Sequence, residues 1–143
     1  MKTLRDIVSG KPMHHVMMGQ MVFDVVNIMA DNNIGALPVL DESGRLRGIF
    51  SERDLMIRCT AKKVDLDTTK IEDVMTRGVI IMEAHDTYEE CMNIMKQESI
   101  RHMPVREGEK LIGMVSMRDL MQVEVDEKKQ EIENLNSYIY YYK

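Results

Sequence analysis

The chain has 143 residues, of which 44% are hydrophobic and 30% are charged, and its formal net charge is −5. This composition is typical of a globular protein that forms one compact domain or two half-sized units. The acidic balance and the lack of a long lysine and arginine run disfavour a nucleic-acid partner, and no stretch approaches the roughly 18 uncharged apolar residues of a membrane span.

The N-terminal segment and the cysteines indicate a cytoplasmic protein. The segment MKTLRDIVSG has charges where a signal peptide needs an apolar stretch. Cys59 and Cys91 lack CxxC spacing, so neither a disulfide framework nor a cysteine-rich zinc site is expected. Cys91 also falls on the apolar face of a predicted helix, which favours a buried thiol. His14 and His15 would point to opposite faces of a strand, and we predict no metal site.

The first half of the chain predicts two helices and two short strands after a helical lead-in at 4–8. An amphipathic helix is predicted by apolar residues at positions i, i+3, i+4 and i+7, which are Val22, Val25, Val26 and Met29. Apolar runs at 36–40 and 46–50 predict two strands joined by a turn at Gly44. A second helix follows from Ser51.

The second half repeats this order. The segment YEECMNIMKQESIRHMPV at 88–105 lies over VFDVVNIMADNNIGALPV at 22–39, and the two strand prolines are separated by 104 − 38 = 66 positions. The corresponding predicted elements are a lead-in at 71–75, a helix from Tyr88, strands at 102–106 and 111–115, and a helix from Ser116.

The duplication predicts an α/β (α+β) fold of two β-α-β-β-α units. One unit has a sheet with an apolar face and nothing of its own to cover it, whereas two copies can cover each other. We therefore expect a pseudo-twofold pair that shares one core. The predicted boundaries are a first repeat at 1–60, a polar connection at 61–70, a second repeat at 71–122 and a helical tail at 123–143.

One pattern closes each copy, as GIFSERDL at 48–55 and as GMVSMRDL at 113–120. In one interpretation it is a helix cap, in which the hydroxyl of Ser51 or Ser116 accepts an orphan backbone N–H. An acid three residues later, Asp54 or Asp119, then completes the cap and suits the helix dipole. Spacing alone does not separate this interpretation from a binding site.

The second interpretation is a binding site for a nucleoside phosphate. Gly48 and Gly113 leave room for a ligand or for another backbone, and N–H groups at a helix N-terminus attract a phosphate. A carboxylate beside a phosphate would repel it, so Asp54 and Asp119 must face a neutral group with donors. A ribose diol fits that requirement, because both of its hydroxyls can donate to one carboxylate.

The two copies also resemble a known family. The pairing of IGALPVLDESGRLRGIFSERDL with IRHMPVREGEKLIGMVSMRDL, each preceded by an amphipathic helix and a lead-in, resembles two cystathionine β-synthase (CBS) domains in tandem. The resemblance covers about residues 4–121, and GIFSERD with the tail segment IENLNSYI is similar to small stand-alone bacterial proteins of this kind. It implies two repeats packed sheet to sheet as a CBS pair, which commonly dimerises into a disc.

The resemblance further implies a ligand class and roles for the paired residues. CBS pairs typically bind adenosine-containing ligands in two clefts between the repeats, among them AMP, ADP, ATP, NAD(H) and S-adenosylmethionine, and they require no further cofactor. Asp54 and Asp119 match the ribose-binding acids of the family. Ser51 and Ser116 match the hydroxyls near the phosphate.

The residues before the strand prolines differ between the copies. The second copy has Arg101 and His102 where the first has Gly35 and Ala36. Arg101 and His102 resemble residues that reach ligand phosphates in the family, with a surface ion pair as the alternative for Arg101. We expect the cleft that they reach to hold the more anionic ligand. We expect that the arginines before the two aspartates, Arg53 and Arg118, either assist in binding a phosphate or extend into solvent.

Two hypotheses of function follow. No nucleophile elbow, P-loop or HExxH pattern is present, so we do not expect an enzyme. The leading hypothesis is a regulatory module that senses an adenosine nucleotide and changes the arrangement of repeats or protomers. The alternative is a dimeric interaction or scaffold protein with vestigial clefts. In both cases we expect a homodimer and a regulated partner protein that the sequence does not name.

The tail after Leu120 has a charged helical pattern. Apolar residues recur at steps of 7, 3 and 4 residues, at Val125, Ile132, Leu135 and Ile139. This is under three heptads, which is short for a coiled coil. We expect the tail to pack on its own domain or on a second protomer.

Overall fold

The computed structural model describes residues 2–141, with side chains described up to residue 137. Two three-stranded sheets, ordered β1-β2-β3 and β4-β5-β6, form its framework. In each sheet the first strand runs parallel to the second, and the third pairs with the second in antiparallel fashion. The predicted duplication and the predicted fold class are confirmed.

The first repeat follows the predicted order of elements. A helix that is capped by Thr3 precedes the first strand. The elements are α1 (Leu4–Val8), β1 (Val16–Met17), α2 (Val22–Asn32), β2 (Ala36–Leu40), β3 (Leu46–Ser51) and α3 (Glu52–Asp54). The chain then continues from α3 as a π-helical segment, Leu55–Thr60, which is wound more widely than the ordinary α-helix that the sequence predicts.

The second repeat contains the same series of strands and helices. Its elements are β4 (Met82–Glu83), α4 (Tyr88–Glu98), β5 (His102–Glu107), β6 (Lys110–Ser116) and α5 (Met117–Tyr141). The helices α2 and α4 end in the same way, at Asn33 with φ 52° and at Ser99 with φ 55°. In each repeat, the left-handed backbone conformation of this residue turns the chain into the central strand of the sheet. The predicted second lead-in is a single 3₁₀ turn, Ile71–Asp73.

The two lead-ins are exchanged between the repeats. Leu4 and Val8 of α1 pack in the apolar cluster of the second repeat, whereas Ile71, Val74 and Met75 pack in the cluster of the first. The sequence predicted one shared core, and this expectation is wrong. The structure has two clusters, because α2 or α4 together with the lead-in of the other copy covers each sheet.

Backbone hydrogen bonds hold each exchanged lead-in in place. The N–H groups of Leu4 and Arg5 donate to carbonyls that precede α4, at 2.8 and 2.9 Å. In the other direction, Thr76 and Ile49 exchange two backbone hydrogen bonds, at 2.8 and 2.9 Å. Each repeat is therefore completed by a segment that belongs, in sequence, to its partner repeat.

Two glycines make this close packing possible. A Cβ at Gly48 would lie 2.6 Å from the carbonyl oxygen of Thr76, and a Cβ at Gly113 would lie 2.8 Å from Cβ of Val8. The space beside both glycines is thus filled by the exchanged lead-ins.

The helix α5 has two different parts. Its first turns pack back on the second repeat through the buried side chains of Leu120 and Val123. Tyr88 of α4 donates a hydrogen bond to Glu127 at 2.6 Å. The side chains of residues 129–137 are exposed.

Both cysteines are free thiols within these apolar clusters. Cys59 and Cys91 are fully buried. Burial raises the pKa of the Cys91 thiol to about 12, and the negative charge of Asp86 adds to the effect. Within residues 2–141, no helix is both long and apolar enough to cross a membrane.

Candidate functional site

The helix start after β3 is a complete capping box. The Ser51 hydroxyl accepts a hydrogen bond from the Asp54 backbone N–H at 3.2 Å. The Asp54 carboxylate accepts in return from the Ser51 backbone N–H at 3.0 Å, through Oδ2. The capping interpretation of the SERD pattern therefore holds in the folded chain, whatever else these residues bind.

The second carboxylate oxygen of Asp54 is also engaged. Oδ1 accepts from the Thr76 hydroxyl at 2.8 Å and lies 3.4 Å from Nε of Arg58. Arg58 in turn donates to the backbone carbonyl of Met75 at 3.0 Å. Asp54 itself is buried, with 7% exposure. A ribose diol that binds Asp54 must therefore share or displace the contacts with Thr76 and Arg58.

Asp119 has the same cap but a more open position. Its Oδ2 accepts from the Ser116 backbone N–H at 2.8 Å and from the Lys11 ammonium at 2.5 Å. The Asp119 side chain is 26% exposed, against 9% for that of Asp54. The described contacts leave Oδ1 of Asp119 available, so this carboxylate can accept a diol without losing its cap.

Lys11 helps to lower the pKa of Asp119. Partial burial acts to raise the pKa of the Asp119 carboxyl. The hydrogen bonds from Lys11 and Ser116 outweigh that effect, and the resulting pKa lies below the ordinary aspartate value. Lys11 lies shortly after the first lead-in, just as Thr76 directly follows the second. The exchange thus places a different partner beside each aspartate.

A cleft of about 1180 Å³ opens between the repeats. Ser51, Arg53 and Asp54 contribute from the first repeat, and Arg101 and His102 from the second. The structure therefore brings five of the predicted site residues into one cavity. The other three predicted polar residues, Ser116, Arg118 and Asp119, do not line this cleft.

The first amide of each helix is already used by the protein. The Glu52 N–H donates to the Gly35 carbonyl at 3.0 Å, and the Met117 N–H donates to the Arg101 carbonyl at 2.8 Å. Because Ser51 accepts the Asp54 N–H as well, few amides of the first turn remain for a phosphate. The side chains of Arg53, Lys96, Arg101 and His102 are thus the principal phosphate donors that the cleft offers.

His102 is the partly buried member of this group. Burial lowers the pKa of its imidazole, while the carboxylates of Glu52 and Asp119 raise it. Burial dominates, so the pKa lies below the ordinary histidine value and the ring is mainly neutral at pH 7. A neutral imidazole can donate one hydrogen bond to a phosphate oxygen and can gain a proton when an anion approaches.

Apolar side chains form another part of the wall. Met56 and Ile57 of the π-helical segment and Ile80 line the cleft, with exposures of 60%, 43% and 38%. Sequence reasoning missed these residues, as it missed Thr76, Arg58 and Lys11. The signal for this apolar wall was the adjacent pair Met56 and Ile57 directly after SERDL. It was not sufficient, because the side chains of an ordinary α-helix point in other directions than those of a π-helical segment.

This geometry defines a class of protein. It is a module of two repeats with a cleft between them that polar and apolar side chains line. The sequence profile of the CBS domain matches residues 4–59 and 71–126. The chain belongs to the CBS domain family and contains two copies of the domain.

Solved structures agree with this assignment. A protein with CBS domains from Burkholderia ambifaria superposes with a TM-score of 0.81 at 32% identity, covering 87% of this chain and 95% of that one. The CBS domain pair of protein MJ0100, in complex with 5-methylthioadenosine and S-adenosyl-L-methionine, superposes with a TM-score of 0.79 at 25% identity. That match covers 88% of this chain and 98% of the MJ0100 chain.

A curated relative is longer than this chain. The mitochondrial CBS domain-containing protein CBSX3 of Arabidopsis thaliana is 34% identical over 122 residues. The match covers 82% of this chain but 59% of the Arabidopsis protein.

Proposed function

We propose that this CBS pair is a regulatory module that binds an adenosine-containing ligand in the cleft between its repeats, and that it is not an enzyme. The observation that supports this most directly is the composition of the cleft. Ser51 and Asp54 of one repeat face Arg101 and His102 of the other within a single cavity. These groups are suited to bind a ribose and a phosphate, but they include no nucleophile paired with a base.

The wall suggests an orientation for the ligand. Met56, Ile57 and Ile80 supply an apolar surface for the purine ring, and Asp54 lies deeper in the cleft, where a ribose would reach it. The volume of about 1180 Å³ is ample for a nucleotide, since small-molecule pockets typically measure roughly 300–1,000 Å³.

The charges favour an anionic ligand over a cationic one. The lining has four cationic side chains against three carboxylates, namely Arg53, Arg58, Lys96 and Arg101 against Glu52, Asp54 and Glu98, and His102 adds a further donor. This favours AMP, ADP, ATP and NAD(H) over S-adenosylmethionine. The complex of MJ0100 with 5-methylthioadenosine and S-adenosyl-L-methionine supports the adenosine class more generally.

Ligand binding would act on the exchanged lead-in. A diol at Asp54 competes with Thr76 and with Arg58, which is bonded to Met75. Binding therefore favours an arrangement in which the segment after the second lead-in has moved. A ligand shifts such an equilibrium by its difference in affinity for the two arrangements.

The scaffold hypothesis has an observation in its favour. The Asp54 carboxylate is buried and fully hydrogen-bonded without any ligand. A purely structural cap would look the same. The two hypotheses differ in whether the protein responds to a nucleotide.

The deciding experiment is a binding titration with a matched pair of variants. We would measure thermal shift and calorimetric affinity for AMP, ADP, ATP, NAD, NADH and S-adenosylmethionine. A ligand at about 100 times its Kd stabilises the fold by roughly 2.7 kcal/mol. We expect Arg101→Ala to weaken the phosphate-bearing ligands by about tenfold or more. Arg118→Ala is the control, because Arg118 is an exposed arginine outside this cleft.

The outcomes separate the hypotheses. Loss of affinity in Arg101→Ala alone supports an anionic adenosine ligand in this cleft. Binding of S-adenosylmethionine that is indifferent to Arg101 would assign the cleft to an uncharged or cationic adenosine compound. No shift with any of the six compounds would favour the scaffold protein.

We propose a homodimer that regulates another protein, without nucleic-acid or membrane partners. Cytoplasmic placement is consistent with two free, buried cysteines, since thiols persist in a reducing compartment.

A further inference from the structure

The helix α5 presents an apolar face that its own domain does not cover. We call Met121, Val125, Ile132 and Leu135 the apolar stripe, and their exposures lie between 46% and 62%. The residues that bind α5 to its own repeat, Leu120 and Val123, are buried. At 3.6 residues per turn the stripe lies roughly 130° around the helix from that buried face. A partner can therefore reach the stripe without displacing the domain.

The stripe has the heptad spacing of a two-stranded coiled coil. Val125 and Ile132 fall at a positions, and Met121, Lys128 and Leu135 fall at d positions. β-Branched residues at a with leucine at d favour two parallel strands. By sequence, Ile139 is the next a position. The pattern is short, but the packed first turns of α5 remove much of the nucleation cost of an isolated helix.

The charges beside the stripe select an orientation. Glu124 and Glu131 fall at g positions, and Lys129 falls at an e position. In a parallel, in-register pair, Glu124 of each helix faces Lys129 of the other helix. The twofold axis therefore produces two such ion pairs. An antiparallel pair would instead bring glutamate near glutamate and lysine near lysine.

Lys128 is the polar member of the d series. Its ammonium lies 3.7 Å from Glu131 of the same helix, and both side chains are about two-thirds exposed. It can therefore direct its charge outward while its methylene stem covers the seam. A single polar residue in a seam fixes register at some cost in affinity.

We propose that α5 pairs with α5 of a second copy of this chain, parallel and in register, with the apolar stripe as the seam. This interface is separate from the nucleotide cleft and does not depend on the proposed function.

Disulfide trapping tests the contact directly. Leu135→Cys places a thiol at the seam, and Glu133→Cys places one on an exposed position outside it, while the native Cys59 and Cys91 are buried. We expect the full-length Leu135→Cys protein to form a covalent dimer under mild oxidation at least tenfold faster than Glu133→Cys. Equal rates, or no covalent dimer in either variant, would overturn the proposal.

A mixed trap tests the orientation. Equimolar Met121→Cys and Leu135→Cys chains should form the 135–135 homodimer and hardly any 121–135 product. A dominant 121–135 product would mean an antiparallel pair and would contradict the proposed register.

Charge reversal gives an independent readout. Glu124→Lys and Lys129→Glu each replace two attractive pairs by repulsive ones, and each should raise the dimer Kd by roughly threefold to tenfold at low salt. The double variant should return to within about twofold of the wild-type Kd, because it restores opposite charges. Sedimentation equilibrium measures this, and a double variant as weak as the single ones, or a monomeric wild type, would overturn the proposal.

Discussion

Asp54 and Asp119 occupy the same place in two copies of one pattern, but different segments supply their partners. Thr76 and Arg58 enclose Asp54, whereas Lys11 binds Asp119 at a more open position. The sequence predicts the two acids as a pair because it shows the shared cap. It could not show their difference, because Thr76 and Lys11 come from the segments that follow the exchanged lead-ins.

The first prediction concerns the stability that each acid provides. Asp54→Ala leaves the Ser51 N–H and the Thr76 hydroxyl without their acceptor in a partly buried position. We expect a loss of about 2–3 kcal/mol in the free energy of unfolding. Asp119→Ala is the matched control, and it should cost about 1 kcal/mol because solvent can reach the freed groups. Equal losses in urea denaturation would contradict this.

The second prediction concerns acid stability. The folded pKa of Asp119 is depressed, so its stabilising contact with Lys11 is present above the unfolded pKa of about 3.9 and is lost as the pH falls through the folded pKa. At pH 6, Lys11→Met should reduce the free energy of unfolding by about 0.5–1 kcal/mol. The difference from wild type should shrink toward zero below about pH 3.9.

Urea denaturation between pH 2.5 and 6 measures this difference. Other carboxylates with depressed pKa values, such as Asp6 and Asp41, lose stability in acid in both proteins and cancel. A difference that stays constant down to the lowest pH would rule out Asp119 as the partner of Lys11.

At the scale of elements, the lead-ins show where sequence periodicity stops being informative. The helical period predicts α2 and α4 well, because it reflects one buried face within one copy, and short apolar runs predict β2, β3, β5 and β6. The lead-ins are too short to reveal which sheet they cover. The cleft wall at Met56 and Ile57 was missed for a related reason, since the π-helical winding after Asp54 leaves no periodic signal.

The third prediction uses the glycines at which the lead-ins are packed. Gly48→Ala would bring a methyl group within 2.6 Å of the Thr76 carbonyl oxygen, and Gly113→Ala would bring one within 2.8 Å of Val8. We expect each to cost about 1–3 kcal/mol through displacement of a lead-in. Thermal or urea unfolding measures the cost.

Gly35→Ala is the control for steric crowding. Its new methyl group would meet the end of the flexible Glu52 side chain at 3.1 Å, and that side chain can move. We expect a change of less than about 1 kcal/mol. A loss as large as that of Gly48→Ala would mean that close approach to the lead-in is not the cause.

At the scale of the whole molecule, the exchange makes each repeat depend on the other end of the chain. The fourth prediction is that Leu4→Ala, although it lies in the first copy, loosens the second repeat. Leu4 is fully buried, so we expect a loss of about 2–5 kcal/mol. Hydrogen exchange should rise first in β5 and β6.

Ile71→Ala is the reciprocal control. Ile71 is equally buried but packs in the cluster of the first repeat, so exchange should rise first in β2 and β3. The same pattern of exchange in both variants would show that the two apolar clusters unfold as one unit.

The exchanged lead-ins also bear on how such a chain could arise. A single repeat with its own lead-in has the parts of a complete core, but here the lead-in covers the sheet of the other copy. Two identical single-repeat chains could meet the same need by trading their first segments, which is domain swapping. Joining those chains through a connection such as residues 61–70 would turn the swapped dimer into one polypeptide, and the pseudo-twofold axis between the repeats would be the former axis between subunits.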